Sequence, residues 1–311
     1  MNLNHKDKYI YFTNNWGEVD STLLKRLKTT TPNNSGIWKN IHFTQDINKA
    51  DYIISLGGLP NNQLYSKINT NNLIIFQREP NIIQLLNINL RLSFSYEKLY
   101  HVWTHPEHMQ MSYDDFYYCK HNELEKNLLL STVTSMRLHT ENCKKRVKFI
   151  KDFCNKYPNI MDVYGSQWDN SLGLNYKGEL PFHNLGGANN RFNENKNKSK
   201  YDGLKNYKYS LCIENSCYDN YFTEKITDCL LSWTIPIYFG CKNIDTYFPK
   251  NSYYILDIND VNSIDKLYEI IQKPITEENI LDMEIARQLI LDKYNIWPTI
   301  KNIIDKDDNN N

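Results

Sequence analysis

Alternating apolar and polar positions in the second half of the chain predict a strand, loop, helix, strand unit. Apolar side chains recur at every second position of Tyr207–Ile213, which is the period of a half-buried β-strand. Thr223 is a favoured helix N-cap residue, and apolar residues at helical spacing follow it as far as Trp233. This predicts a helix of about three turns. The apolar run Ile235–Phe239 predicts the second strand, and a right-handed βαβ crossover is the expected topology.

Polar residues of this unit gather where the first strand ends and the helix begins. In open α/β sheets, ligands bind at this carboxyl edge. The helix start presents unpaired N–H groups and a partial positive charge, and Lys225 adds a full charge, so the edge suits an anion such as phosphate. The alternative is an ordinary helix start with a solvated lysine, and the residue pattern alone leaves both open. The polar residues are Glu214, Asn215, Ser216, Tyr221, Thr223, Glu224 and Lys225.

Strand-like and helix-like segments alternate along the rest of the chain, which is typical of α/β domains. Its 311 residues can accommodate two such domains. We expect one domain over residues 1–127 and a second over residues 128–311, with residues 300–304 packing back on the first domain. Further strands are predicted at 9–12, 52–56, 73–76, 102–104, 128–134 and 253–256, and further helices at 143–155 and 277–294.

The polar edge and the second strand carry a recognisable block of residues. Together they resemble the signature of the α1,3-fucosyltransferases, glycosyltransferase family 10. The resemblance is specific over residues 131–249. Within this range, the segments 164–165, 176–178 and 205–209 also resemble the sequence that precedes the block in the family. The block consists of Glu214-Asn215-Ser216, then Tyr221-x-Thr223-Glu224-Lys225-Ile226, then Ile235-Pro236-Ile237-Tyr238-x-Gly240.

The resemblance implies the α/β GT-B fold, in which two Rossmann-like domains face each other across a cleft. Residues 1–127 would then form the acceptor-binding domain and residues 128–311 the nucleotide-sugar donor domain. It implies transfer of fucose from GDP-fucose to a hydroxyl of an acceptor glycan, with inversion at the sugar carbon. No cofactor or divalent metal is expected, because fixed cations would stabilise the departing GDP and the predicted strand ends carry no Asp-x-Asp motif.

The resemblance also implies roles for individual residues. Arg146, aligned with the family's Arg-x-x-Phe pattern through Phe149, would bind the donor pyrophosphate together with Lys225. Glu224 would contact the nucleotide ribose or balance the charge on the sugar ring. The remaining donor-binding residues would be Asn215, Tyr221 and Thr223.

The acceptor hydroxyl must lose its proton as it attacks, which calls for a carboxylate within hydrogen-bond reach. Glu79 is the best match to the Glu-x-Pro-like acid that the family uses as its supposed base, although here Pro80 follows the acid directly. The alternative is a surface acid paired with Arg78. The next candidates for the base are Glu97, Asp114 and Asp115.

Composition and charge exclude some classes of function and indicate the cellular compartment. A formal net charge of zero argues against a nucleic-acid surface. Seven cysteines without a CxxC pair indicate reduced thiols. The N-terminus lacks an apolar signal segment and no run reaches membrane-spanning length, so we expect a soluble cytoplasmic protein of bacterial or viral type, in the latter case in the host cytoplasm. His101, His105 and His108 are interpreted as structural or acceptor-lining residues rather than zinc ligands.

Two alternatives remain open from the sequence. One is the same fold with another nucleotide sugar as donor. The other is a sugar or nucleotide-sugar binding protein that has lost turnover. The complete set of donor-binding residues argues against the second, whereas the weak match in the first domain leaves the base and the acceptor undefined.

Overall fold

The computed structural model describes residues 6–15, 17, 20–57, 72–76, 106–180 and 199–310. Within these ranges the chain forms two sheets of mainly parallel strands, each packed against helices. The predicted α/β class is therefore confirmed. The strand predicted at 102–104 lies outside the described residues.

The first sheet lies in the N-terminal part of the chain and has the strand order β2-β3-β1-β4-β5. Only β2 and β3 pair antiparallel; the other neighbours are parallel. The strands predicted at 52–56 and 73–76 are confirmed. The strand predicted at 9–12 is also present, but it begins one residue earlier and ends two residues later. The strands are β1 (Lys8–Asn14), β2 (Ile37–Trp38), β3 (Ile41–Phe43), β4 (Tyr52–Leu56) and β5 (Leu73–Phe76).

The core of the first sheet is completed by the last helix of the chain. Helices α1 (Asp20–Lys28) and α8 (Ile296–Asn310) contribute apolar side chains to one cluster with the strands. Trp297 is fully buried there, and its indole N–H donates to the Leu27 carbonyl at 3.0 Å. At the far end of α8, Lys8 and Asp308 form an ion pair of 3.0 Å. Residues 300–304 thus pack on the first sheet.

The second sheet is wholly parallel among its described strands, in the order β11-β10-β9-β6-β7-β8. From β6 the chain proceeds outward to β7 and β8, then returns to the other side of β6 for β9, β10 and β11. The topology therefore reverses between β6 and β9. The strands are β6 (Leu128–Val133), β7 (Met161–Tyr164), β8 (Tyr176–Gly178), β9 (Tyr207–Ile213), β10 (Ile235–Phe239) and β11 (Tyr254–Ile255).

Helices cover the second sheet and join one large hydrophobic cluster with it. The helices predicted at 143–155 and 277–294 are confirmed to within two residues at each end. Met109, Tyr113 and Phe116, which precede residue 128, also pack in this second cluster. None of the helices in the described ranges is long and apolar enough to span a bilayer. The helices between α1 and α8 are α2 (Pro106–Met109), α3 (Tyr113–Tyr118), α4 (Glu141–Lys156), α5 (Glu224–Leu231), α6 (Ser263–Ile271) and α7 (Glu277–Asp292).

Helix α5 is shorter than the sequence predicts. Apolar spacing favours helix as far as Trp233, but α5 ends at Leu231 and Trp233 adopts a left-handed φ of 55°. Tertiary contacts offset this unfavourable conformation, because the Trp233 indole N–H donates to the Cys119 carbonyl at 3.1 Å and the Arg287 guanidinium lies 4.4 Å from the ring centroid. The chain can therefore turn directly from α5 into β10.

Lys126 lies beneath this turn. Its ammonium donates to the Ser232 carbonyl at 2.7 Å and to the Thr234 hydroxyl at 2.9 Å, both of which are uncharged. Burial lowers the pKa of Lys126 to about 7, and no carboxylate of the described residues forms an ion pair with it.

Candidate active site

The predicted donor residues meet where the strand order of the second sheet reverses, between the carboxyl ends of β6 and β9. Such a switch point opens a crevice in which open α/β sheets bind ligands. Thr140 caps α4 by accepting from Cys143 N–H, and its hydroxyl donates to the Asn215 carbonyl at 3.1 Å. This bond fixes the start of α4 against the loop after β9. Arg146, two turns into α4, then reaches Asn215 Oδ1 at 2.7 Å.

The guanidinium of Arg146 is a buried cation in this crevice. Its side chain is 3% exposed and donates to the carbonyls of Ile213 at 3.4 Å and Ser135 at 3.3 Å, while Nε has no hydrogen-bond partner in the described part of the chain. No carboxylate of the described residues lies within 4.0 Å of it. Burial lowers the pKa of Arg146, although an arginine remains charged at neutral pH. Among the described residues, the site therefore holds a positive charge without an ion-pair partner.

Glu214, the first residue after β9, organises the opposite side of the crevice. Its fully buried carboxylate accepts from the Thr223 N–H at 2.8 Å, the Thr223 hydroxyl at 2.7 Å and the Lys225 ammonium at 3.2 Å. Gly240 makes room for it, because a Cβ at that position would lie 2.4 Å from Glu214 Cγ. The carboxylate thus ties the end of β9 to the first turn of α5.

The first turn of α5 presents Thr223, Glu224 and Lys225 as predicted. The Thr223 hydroxyl caps the helix by accepting from Lys225 N–H at 3.5 Å, while it also lies 2.9 Å from the Lys225 ammonium. Burial would lower the pKa of Lys225, but the negative charges of Glu214 and Glu224 outweigh burial and raise it. Lys225 is therefore fully protonated at neutral pH.

Glu224 is the more accessible acid of the site. Its side chain is 32% exposed, and Oε1 lies 3.6 Å from the Lys225 ammonium. Burial alone would raise the pKa of Glu224, but the positive charges of Lys225 and Lys200 outweigh it and hold the pKa well below its ordinary value. Glu224 is therefore a carboxylate throughout the neutral range.

Tyr221 lies deeper than the other predicted donor residues. Its ring is buried within the fold, and its phenol is close enough to Arg146 to interact with the guanidinium electrostatically. The structure therefore brings Arg146, Asn215, Tyr221, Thr223, Glu224 and Lys225 together at one edge of the second sheet.

Other predicted residues lie elsewhere or outside the described ranges. Glu79, the predicted base, and Glu97 lie outside the described residues, as do His101 and His105. His108 is buried, and its ring acts electrostatically on Glu224. No group of three or more metal-ligating side chains occurs in the described part of the chain.

The two aspartates named as further base candidates have structural hydrogen bonds. Asp114 accepts from the Asn33 N–H at 2.6 Å, and Asp115 forms a capping box with Ser112 at the start of α3. These bonds account for the positions of both carboxylates, so a role in proton transfer is not needed to explain them.

Sequence reasoning missed two charged residues of this region, Lys200 and Asp228. It placed Glu214 at the polar edge and in the family block but assigned it no role. A buried lysine needs a compensating charge, so a search for the partner of Lys225 would have pointed to Glu214. Lys200 and Asp228 pair across 28 positions of sequence, and no local pattern reveals such a pair.

Comparison with known proteins supports the family suggested by these residues. The model of the glycosyltransferase family 10 (fucosyltransferase) C-terminal domain matches residues 125–280, half of the chain. The α-(1,3)-fucosyltransferase FucT of Helicobacter pylori is 37% identical over 87 residues, which is 28% of this chain and 18% of that protein. An α-(1,4)-fucosyltransferase of Arabidopsis thaliana is 33% identical over 70 residues, covering 22% of this chain and 17% of its own length. The matched segments thus span less than a fifth of these relatives.

Similarity of the fold extends further than similarity of sequence. A crystal structure of an α1,3-fucosyltransferase superposes with a TM-score of 0.50 over 98% of this chain and 90% of that chain, at 19% identity. This confirms the predicted GT-B fold. Because the family model covers half of the chain and includes every residue of the crevice, the protein belongs to glycosyltransferase family 10.

Proposed function

We propose that this protein transfers fucose from GDP-fucose to a hydroxyl group of an acceptor glycan, with inversion at the anomeric carbon. One observation carries the proposal: the buried guanidinium of Arg146 has no carboxylate partner in the described residues, and it lies close enough to Lys225 for the two positive charges to act on each other. A buried cation without a partner is costly, and a diphosphate would supply the missing charge. The names of the relatives identify them as fucosyltransferases.

The chemistry asks for stabilisation of the departing GDP. As the glycosidic bond breaks, negative charge grows on the diphosphate, and fixed positive groups aimed at it supply much of the catalysis. Arg146 and Lys225 would take this role without a divalent metal. Asn215, which accepts from Arg146, would orient the guanidinium and offer its amide N–H groups. Tyr221 would add a neutral donor, and Thr223 would hold Lys225 in place.

Positive charge develops on the sugar ring at the same time. Glu224 is suited to face it, because its carboxylate is partly exposed and ionised at neutral pH. The same position would allow a hydrogen bond to the nucleotide ribose. Glu214 is not suited to either role, since its carboxylate is fully buried and already accepts four hydrogen bonds, from Thr223 (two), Lys225 and Tyr238.

The base that accepts the acceptor's proton remains the prediction made from the sequence. Glu79 follows β5, the edge strand of the first sheet, by three residues, and the carboxyl ends of parallel strands are where such sheets place reactive groups. The structural hydrogen bonds of Asp114 and Asp115 favour Glu79 over these two alternatives.

A thermal-shift experiment tests the donor assignment. GDP should raise the melting temperature in the presence of EDTA, whereas UDP should not, even with magnesium; at 100 times Kd a ligand of the folded state adds about 2.7 kcal/mol of stability. An equal shift with UDP would favour a different nucleotide sugar.

Hydrolysis of GDP-fucose tests turnover without requiring a known acceptor. Water replaces the acceptor hydroxyl, and the products are GDP and free fucose. NMR of the fucose first released, before it mutarotates, should show the anomer opposite to that of the donor. Binding of GDP without any release of fucose, with or without added glycans, would instead identify a binding protein.

A further inference from the structure

A second buried ion pair lies behind the donor residues and has no role in the proposed function. The Lys200 ammonium, 13% exposed, lies 2.6 Å from Oδ2 of the fully buried Asp228. Lys200 begins the 3-10 turn Lys200–Gly203 that precedes β9, and Asp228 belongs to α5. Oδ1 of Asp228 has no hydrogen-bond partner in the described residues. The Asp228 carboxylate therefore anchors the lysine through Oδ2.

The geometry of helix α5 places this ion pair close to Glu224. Asp228 follows Glu224 by four residues on α5, so the two carboxylates lie on the same face of the helix, one turn apart. Lys200 and Lys225 line one small cleft over β9, which Thr134 borders at the end of β6. Two ammonium groups and two carboxylates thus lie close together around the start of α5, as the pairs Lys225–Glu224 and Lys200–Asp228.

The charges that surround Glu224 come from every element packed against it. They are Lys225 and Asp228 on α5, Lys200 on the 3-10 turn, His108 on α2, Glu214 after β9 and Arg146 on α4. After Lys225, Lys200 is the cation that lowers the pKa of Glu224 most. Burial raises the pKa of Asp228 to about 6, although Lys200 opposes this effect.

Donor binding would alter this balance of charge. The proposed function assigns Lys225 to the diphosphate, whose negative charge then offsets the field of that ammonium at Glu224. Glu224 must nevertheless stay ionised to face a positively charged sugar ring. The 2.6 Å bond to Asp228 holds Lys200 within the protein, so its charge remains available to Glu224 after Lys225 is engaged.

We propose that Lys200, anchored by Asp228, is a positioning residue that keeps the Glu224 carboxylate charged and in place while Lys225 binds the donor diphosphate. This inference rests on the proposed function. It predicts that Lys200 affects kcat and its pH dependence, and that it affects donor affinity little.

The test uses GDP-fucose hydrolysis at saturating donor as a function of pH, together with 13C NMR titration of the Glu224 carboxyl in the GDP complex, assigned with Glu224→Gln. In Lys200→Met, the acidic limb of kcat and the Glu224 midpoint should both move up by about one pH unit or more. Donor KM should change less than about twofold, and Lys200→Arg should restore the wild-type profile. Lys205→Met is the matched control, because Lys205 lies on the same segment but pairs with the partly exposed Asp202.

A double variant separates the proposed role from a merely structural one. Lys200→Met with Asp228→Leu removes both charges, so neither partner is left buried alone and the fold should survive. The acid limb of kcat should stay displaced in this variant. A return to the wild-type profile would show that Lys200 serves only Asp228 and would overturn the inference.

The NMR titration keeps this inference distinct from the proposed function. An unchanged Glu224 midpoint in Lys200→Met would also overturn it, whether or not the protein turns over. Wild-type protein that binds GDP but never hydrolyses GDP-fucose would overturn the proposed function instead, and the Glu224 titration would still report on Lys200.

Discussion

Replacing Glu214 by glutamine probes the buried carboxylate that ties β9 to α5. Glutamine has the same shape and can still accept from the Thr223 N–H, now 2.8 Å from the carboxylate. Its amide nitrogen, however, would face the Lys225 ammonium, and two donors cannot bond to each other. Lys225 would thus lose its fully buried counter-charge, which lies 3.2 Å away in the native protein.

The size of the effect follows from what remains around Lys225. Removing one partner of a buried ion pair destabilises a protein by about 3–5 kcal/mol. Glu224 stays at 3.6 Å and is partly exposed, so it can compensate in part. We therefore expect a loss near the lower limit, about 3 kcal/mol. Equilibrium urea unfolding, followed by circular dichroism, measures the loss, and calorimetry should show weaker GDP binding because Lys225 is no longer held.

The control is Glu141→Gln. Glu141 pairs with Lys144 at 2.7 Å, a shorter distance than in the Glu214 pair, but its side chain is 79% exposed. Solvent screens such a pair, so the urea midpoint should not change measurably. If Glu214→Gln lowered the stability by less than about 1 kcal/mol, the view that this carboxylate organises the crevice would be refuted.

Three further predictions concern other charges. Lys225→Met should weaken GDP binding by roughly ten- to a hundredfold in calorimetry, because a charge-assisted hydrogen bond contributes about 1.5–3 kcal/mol; the exposed Lys208→Met on β9 should not. Glu79→Gln should reduce transfer by about 10²- to 10⁴-fold at unchanged GDP affinity, whereas Glu224→Gln should impair both, and normal transfer by Glu79→Gln would place the base elsewhere. The stability of the wild type relative to Lys126→Met should increase as the pH rises from about 7 to 10.5. Throughout that range the unfolded chain binds the proton of Lys126 and the folded chain does not. Parallel pH profiles of the two proteins in urea titrations would contradict the burial of this ammonium.

Local patterns were sufficient to predict the βαβ unit and the residues that line its edge. Strands β9 and β10 have the predicted bounds, and Thr223 caps α5 as expected. These features depend on side-chain period and cap chemistry, which a short window of sequence contains. The end of α5 could not be predicted from such a window, because contacts with Cys119 and Arg287, which are distant in sequence, stabilise the left-handed Trp233.

The charge pairs could not be predicted in the same way. Arg146 was placed through a family pattern, but its bond to Asn215 depends on the packing of α4 against the end of β9. Lys200 and Asp228 come from separate elements, and only the fold brings them within hydrogen-bond distance. Pairing of this kind depends on tertiary structure, which residue spacing along the chain does not contain.

The position of α8 has a consequence for how the protein is made. Trp297 and its neighbours on α8 fill the core of a sheet whose strands lie within the first 76 residues, so on the ribosome that sheet emerges more than 200 residues before the helix that completes it. Its apolar face must remain uncovered, or be held by a chaperone, until α8 has been synthesised. Pairing across so long a separation also slows folding. A fragment ending at residue 105, before the residues that pack in the second cluster, should therefore aggregate on expression, and co-expression with a peptide of residues 295–310 should restore its solubility.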